Sequence, residues 1–130
     1  MEKPEGNFGY PAKIWDLAKE QGRSAISKRA QLGQTMTYQD LTREISSITF
    51  NPDDFALKTL LGEISTEEDS WGRGMLTVLV VHKTGDKMPG NGFFKLAAEL
   101  GRNTSDRERL WSEELKKVCA AWGYIASNAI

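Results

Sequence analysis

Apolar positions recur along this chain in blocks, and their spacing changes from one segment to the next. Between Pro11 and about Leu32, the residues Ile14, Trp15, Ala18, Ala25 and Ile26 share one helical face, with Asp16, Lys19, Glu20, Arg23 and Lys28 on the wet side. Pro11 suits a first helical position, where its missing N–H costs nothing. Gly22 weakens the middle of this stretch by roughly 1 kcal/mol relative to Ala, which predicts a kink or break with Ser24 capping a second segment. Gly33 closes the unit, and 34–36 reads as a short extended piece. Thr37 is the next expected N-cap, with Asp40 three residues on in place of the usual Glu. Tyr38, Leu41 and Ile45 then recur at i, i+3 and i+7, a short amphipathic helix ended by Ser46 and Ser47.

In the second half, Asn51 predicts an N-cap and Pro52 a first helical residue, with Asp53 and Asp54 on the positive end of the dipole. Leu57, Leu60, Leu61 and Ile64 carry that helix to about Glu68. Residues 71–74 read as a turn. Residues 75–81 are apolar and β-branched, broken only by Thr77, and predict a buried strand. The Gly-rich run 82–92 reads as a loop forming a hairpin tip. Phe93, Leu96, Ala97 and Leu100 fit a short helix closed by Gly101. Thr104 or Ser105 caps a last helix over about 106–122, with Trp111, Leu115, Val118, Cys119 and Trp122 inward.

This order predicts a mainly α chain with a small β element (α+β). Residues 1–9 read as a flexible N-terminal arm and 10–130 as a single domain. The succession helix, short strand, helix, helix, strand, turn is that of a winged-helix-like core, here with extra N- and C-terminal helices. The strand needs a partner, for which 34–36, 48–50 and the residues just after Gly90 are the candidates.

Composition narrows the chemistry. One cysteine, Cys119, forbids an internal disulfide and any multi-cysteine metal site, and one histidine, His82, excludes paired-histidine zinc motifs. No metal and no cofactor are expected. The longest apolar run is too short to span a bilayer, and the first residues hold no apolar signal region. The expectation is therefore a cytoplasmic protein without membrane contact. Net charge is −1, but 52–70 sets one lysine against six acids, while 71–130 sets nine basic residues against six acidic ones. A pI near 5.9 argues against phosphate binding by the whole surface and leaves a local basic patch in the second half.

Four strings carry a resemblance: Thr37-Tyr38-Gln39-Asp40-Leu41, Leu60-Leu61-Gly62-Glu63-Ile64, Val80-Val81-His82-Lys83-Thr84-Gly85, and Pro89-Gly90-Asn91-Gly92-Phe93. Over roughly residues 33–95 the chain resembles a bacterial family with the pattern Thr-Tyr-x-x-Leu, Leu-Leu-x-x-Ile, Val-Val-x-Lys-x-Gly and Pro-Gly-x-Gly-Phe. That family has no assigned activity, so the resemblance implies none. A fainter similarity is to alkyltransferase-like proteins, which also pair a Thr-Tyr-x-x-Leu helix start with a winged-helix core. Their signature sets Pro-Cys-His-Arg or Pro-Trp-His-Arg before a Val-Val pair. Here His82-Lys83 follows Val80-Val81 and Cys119 is remote, so the alkyl-accepting thiol is missing and that chemistry is not implied.

Two surfaces are candidates. The first is nucleic-acid or anion binding by Arg73, Lys83, Lys87, Gly90 and Asn91, because glycine turns can aim successive N–H groups at an anion and a wing tip is a reasonable place for phosphate contacts. The bland alternative is a hairpin tip made of turn residues, and no Gly-Lys-Ser/Thr is present to support a nucleotide triphosphate site. Asp53 and Asp54 oppose duplex reading by their helix. The second surface is partner docking by Trp71 with Glu67, Glu68 and Asp69. These acids sit at the negative end of their helix, either as a solvated face or awaiting a basic partner. His82 reads as structural, with Asp86 bonding its own backbone. The expected function is a non-catalytic binding module contacting nucleic acid through the basic Gly-rich hairpin. The alternatives are protein docking or an accessory subunit using Trp71, and less readily a small enzyme centred on His82.

Overall fold

The computed structural model describes residues 8–124, so the arm expected over 1–9 lies outside them apart from Phe8 and Gly9. Phe8 is not free: its ring lies 5.9 Å from Trp15 and 5.8 Å from Phe55. Helix α1, Ala12–Leu32, is continuous, so the break expected at Gly22 does not occur. A Cβ on Gly22 would stand 3.4 Å from the Cδ1 atoms of both Ile45 and Ile64. Packing of α1 on these side chains outweighs the poor propensity of the glycine, and Ser24 is an ordinary exposed helical residue. Pro11 takes the N-cap, its carbonyl accepting from the Ile14 and Trp15 N–H groups. At the other end Gly33 turns left-handed, and the Gly33 and Gln34 N–H groups close on Ala30 and Arg29.

Strand β1, Met36–Thr37, runs straight into helix α2, Tyr38–Glu44. Asp40 completes the capping box that its shorter side chain had left in question: its N–H donates to Thr37 Oγ1 at 3.0 Å and its Oδ2 accepts from the Thr37 N–H at 3.1 Å. Helix α3 spans Phe55–Ser70 and starts later than expected at Pro52. Asp54 is the cap residue, because residues 51–54 close a turn of their own. The Asn51 N–H donates to Asp54 Oδ2 at 2.8 Å, and the Asp54 N–H to the Asn51 carbonyl at 3.1 Å.

The expected strand over 75–81 is corrected. Leu76–Leu79 coils into a 3-10 turn, and only Val80–Val81 is strand β2. The segment is buried on all sides, so it shows no alternation that would separate a strand from a buried helical turn. Two of its backbone donors are met by side chains: the Met75 N–H by Glu114 Oε2 at 2.8 Å and the Thr77 N–H by Ser65 Oγ at 3.0 Å. β2 pairs with β1 in parallel, Met36 opposite Val80 and Thr37 opposite Val81. A parallel pair needs a long crossover, which α2, α3 and the 3-10 turn supply. The expected hairpin is therefore absent. Residues 82–90 form a loop pinned by the His82 N–H on the Met88 carbonyl at 3.0 Å.

Helix α4, Asn91–Glu99, and helix α5, Arg107–Ala121, lie where the periodicity puts them. The cap of α5 is Asp106, which accepts from the Arg109 N–H; Ser105 instead donates its N–H and hydroxyl to Asn103 Oδ1. The chain is thus mainly helical with a small two-stranded sheet among the described residues. The 3-10 turn sits at the centre, touched by α1, α3 and α5. No described helix is long and apolar enough to cross a membrane.

Candidate functional site

Helices α3 and α4, the start of α2 and the loop after β2 enclose an open groove of about 970 Å³. The parallel pairing of β1 and β2 decides which residues meet there. It sets Tyr38, the first residue of α2, beside His82, the first residue after β2, with their rings 5.2 Å apart. The Tyr38 hydroxyl accepts from the Gly90 N–H at 2.9 Å and so ties the Gly-rich loop to α2. A Cβ on Gly90 would stand 3.3 Å from His82 Nε2 and 3.4 Å from the Tyr38 hydroxyl, so a side chain there would crowd the junction. Burial holds the Tyr38 phenol above its ordinary pKa, against the lowering effect of the bond from Gly90. Tyr38 stays protonated at neutral pH and keeps a donor proton for the groove.

Lys58 on α3 and Lys83 on the loop are exposed and line this groove, and neither has an ion-pair partner among the described residues. Helix α4 follows Gly90, an N-cap with no side chain to offer, and this junction lines the groove together with Lys83. The Asn91 side chain is held by Arg107 Nη1 at 2.8 Å, and that guanidinium lies over the Phe94 ring at 4.6 Å. Positive charge therefore gathers at the α4 end. At the α1 side the groove is neutralised: Lys19 Nζ sits 2.9 Å from Glu63 and 3.0 Å from Glu67. Burial opposes the Lys19 charge, but its bonds to Glu63 and Glu67 win and raise its pKa.

The floor along α3 includes Thr59, Gly62 and Thr66, which share one face. Glycine inside a helix costs about 1 kcal/mol relative to alanine. At Gly62 no neighbouring atom would meet an added Cβ.

Of the residues expected to bind anions, Lys83, Gly90 and Asn91 come together at this groove. Asp86 does bond its own backbone, accepting from the Met88 N–H at 3.0 Å. Lys87 is exposed on the loop with a left-handed φ of 55°, outside the groove lining. Arg73 is not part of this site. It stands past the other end of α3 and clasps Glu68 with two bonds, of 2.7 and 2.8 Å.

The docking surface is also corrected at its acids. Glu67, Glu68 and Asp69 do face basic partners, but these belong to the same chain. Arg23 pairs with Glu67 and Glu68, and Arg102 grips Asp69 and Glu114. Arg23, expected to be wet, is nearly covered, and Glu68 is fully buried. Burial pushes the Glu68 carboxyl up, yet the bonds from Arg73 and Arg23 prevail and hold it below its ordinary value. Trp71 remains 56% exposed, with the Arg23 and Arg73 guanidinium carbons 5.2 and 5.1 Å from its ring centre.

Reasoning along the sequence missed Tyr38, Lys58 and Gly62 as groove residues. Tyr38 read as one member of an apolar helix stripe, and Lys58 as a lone base in an acidic stretch. Only the mid-helix Gly62 carried a local signal, a propensity cost with no evident return. No protein-family model, no curated protein and no solved structure matches the chain.

Proposed function

We propose that this protein is a non-catalytic binding module that takes a single strand of nucleic acid in the groove between α3 and α4. One observation carries the reading: Lys58 and Lys83, both free of ion-pair partners among the described residues, line a groove that also holds the rings of Tyr38 and His82. Cations tracking a backbone, with planar side chains between them, are the ingredients of strand binding. A single strand is favoured over a duplex because planar side chains such as Tyr38 and His82 stack only on unpaired bases. Exposed Asp53, which also lines the groove just ahead of α3, opposes phosphate there in either form. The winged-helix-like core belongs to this proposal on element order alone. In that likeness α3 holds the recognition position and the loop 82–90 stands in for a wing.

Catalysis is left out for chemical reasons. The group packed on His82 is the Tyr38 ring, not a carboxylate that would orient a base. Cys119 is buried in α5, and burial pushes its thiol pKa up, which withholds the thiolate.

The test is the anisotropy of a labelled short oligothymidylate between about 50 and 200 mM salt. The parent protein should bind with an affinity that falls steeply with salt. Lys58→Glu with Lys83→Glu should weaken it at least tenfold and flatten the salt slope by roughly 0.7 for each phosphate no longer neutralised. Unchanged affinity in the double variant would remove the proposal.

A second reading rests on Trp71. An indole this exposed and flanked by two guanidinium groups is a suitable anchor for a protein partner. Under this reading Trp71→Ala abolishes partner capture and leaves oligothymidylate binding intact.

A further inference from the structure

Gly62 sits inside α3, where alanine would suit the helix better and would touch nothing, since no atom lies within 4 Å of an added Cβ. Gly22 is the instructive contrast. It too lies inside a continuous helix, but there an added Cβ would touch Ile45 and Ile64, each at 3.4 Å. Nothing in the described chain uses the space at Gly62, and that space opens into the groove. Gly92, in the first turn of α4, lines the same groove and likewise has nothing within 4 Å of an added Cβ. On the Gly62 face, Thr59 and Thr66 spend their hydroxyl protons inside the helix, on the Phe55 carbonyl at 3.1 Å and the Gly62 carbonyl at 2.8 Å. With no side chain at Gly62 and both threonine protons spent, this part of the floor is low and offers few free donors.

We infer that Gly62 and Gly92 keep open a slot for one nucleobase of the bound strand, with the adjoining phosphates at Lys58 and Lys83. The inference rests on the strand-binding reading above and adds the part of the ligand that enters the groove. The groove lining sets Lys19, Lys58 and Lys83 against Asp53, Glu63 and Glu67, but Lys19 holds both glutamates. Lys58 and Lys83 therefore outweigh Asp53 and call for an anion, while the open floor at Gly62 admits a planar ring attached to it. Gly62 would then set which ligands fit, because any side chain there projects into the slot without disturbing the core.

The experiment compares Gly62→Ala and Gly62→Phe with the parent on two probes, a short oligothymidylate and linear polyphosphate, which carries no bases. Gly62→Ala should raise Tm by about 4 °C. Gly62→Phe should melt cooperatively, bind oligothymidylate roughly tenfold or more weakly, and hold polyphosphate within about twofold of the parent. Should Gly62→Phe fail to fold, Gly92→Leu on the exposed first turn of α4 makes the same comparison. Parent-like oligothymidylate binding by the bulky variant overturns the slot and leaves the strand-binding reading standing. Equal loss of both probes also overturns it, since that marks a charge or folding effect. If the parent binds neither probe at low salt, the strand-binding reading fails and the slot fails with it.

Discussion

Arg23 and Glu68, forty-five positions apart, meet inside the protein, with Arg23 Nη1 donating to Glu68 Oε2 at 2.6 Å. Glu68 is fully buried and takes two further bonds from Arg73. One carboxylate thus joins α1, α3 and the turn after α3. Removing a single partner of a buried charge cluster leaves the others uncompensated. Glu68→Ala is expected to cost about 3–5 kcal/mol in urea unfolding. Glu113→Ala, which breaks an exposed pair with Arg109, should leave the midpoint unchanged. Similar losses in the two variants would show that burial of the cluster is not what matters.

Acid should unfold the protein through the same cluster. The bond from Arg102 holds the Asp69 carboxyl below its ordinary pKa, and burial only partly opposes this. For Glu67 burial pushes upward, but the bonds from Lys19 and Arg23 win and lower the value; Glu68 behaves alike. Folded-state values below the unfolded ones mean stability that is complete above the ordinary carboxyl range and lost progressively as pH falls from there through the lowered folded-state values. Urea midpoints measured from neutrality to about pH 3 should decline below about pH 4.5. Asp69→Asn should remove part of that decline. A flat profile would contradict the assignment.

Two glycines of one turn should respond differently. Gly72 and Gly74 both have left-handed φ, 84° and 86°. A Cβ on Gly72 meets nothing, whereas one on Gly74 would stand 3.0 Å from both Glu114 Oε2 and Val118 Cγ2. Gly72→Ala carries only the conformational penalty, about 1–2 kcal/mol. Gly74→Ala adds a displaced Glu114 and a freed Met75 N–H, and should cost clearly more by the same denaturation assay. Equal costs would mean that Glu114 moves aside freely.

Ser65 and Thr77 make a buried pair, 2.6 Å between hydroxyls, and Ser65 Oγ also accepts the Thr77 N–H. Ser65→Ala leaves that N–H unpaired inside the 3-10 turn. The expected loss is about 1–3 kcal/mol, read from chemical denaturation. A change under about 0.5 kcal/mol would show that the turn finds another acceptor.

Local chemistry was enough for most of the helices. The Thr37 and Asp40 side chains, the left-handed Gly33 and the stripe Leu57, Leu60, Leu61, Ile64 act over a few residues, and these signals survive without knowledge of the fold. The segment 75–81 was not legible in the same way. When every side chain is buried no face is distinguished, and the choice between strand and turn passes to distant partners such as Ser65 and Glu114. The charges follow the same division. An acidic run at the negative end of a helix signalled an unmet need, but only packing could bring Arg23 and Arg102 to it. The groove lies at the far limit of this scale, because Tyr38 and His82 become neighbours only when β1 and β2 pair in parallel. Short-range propensity is written residue by residue, while a site assembled across a crossover exists only after the chain has closed on itself.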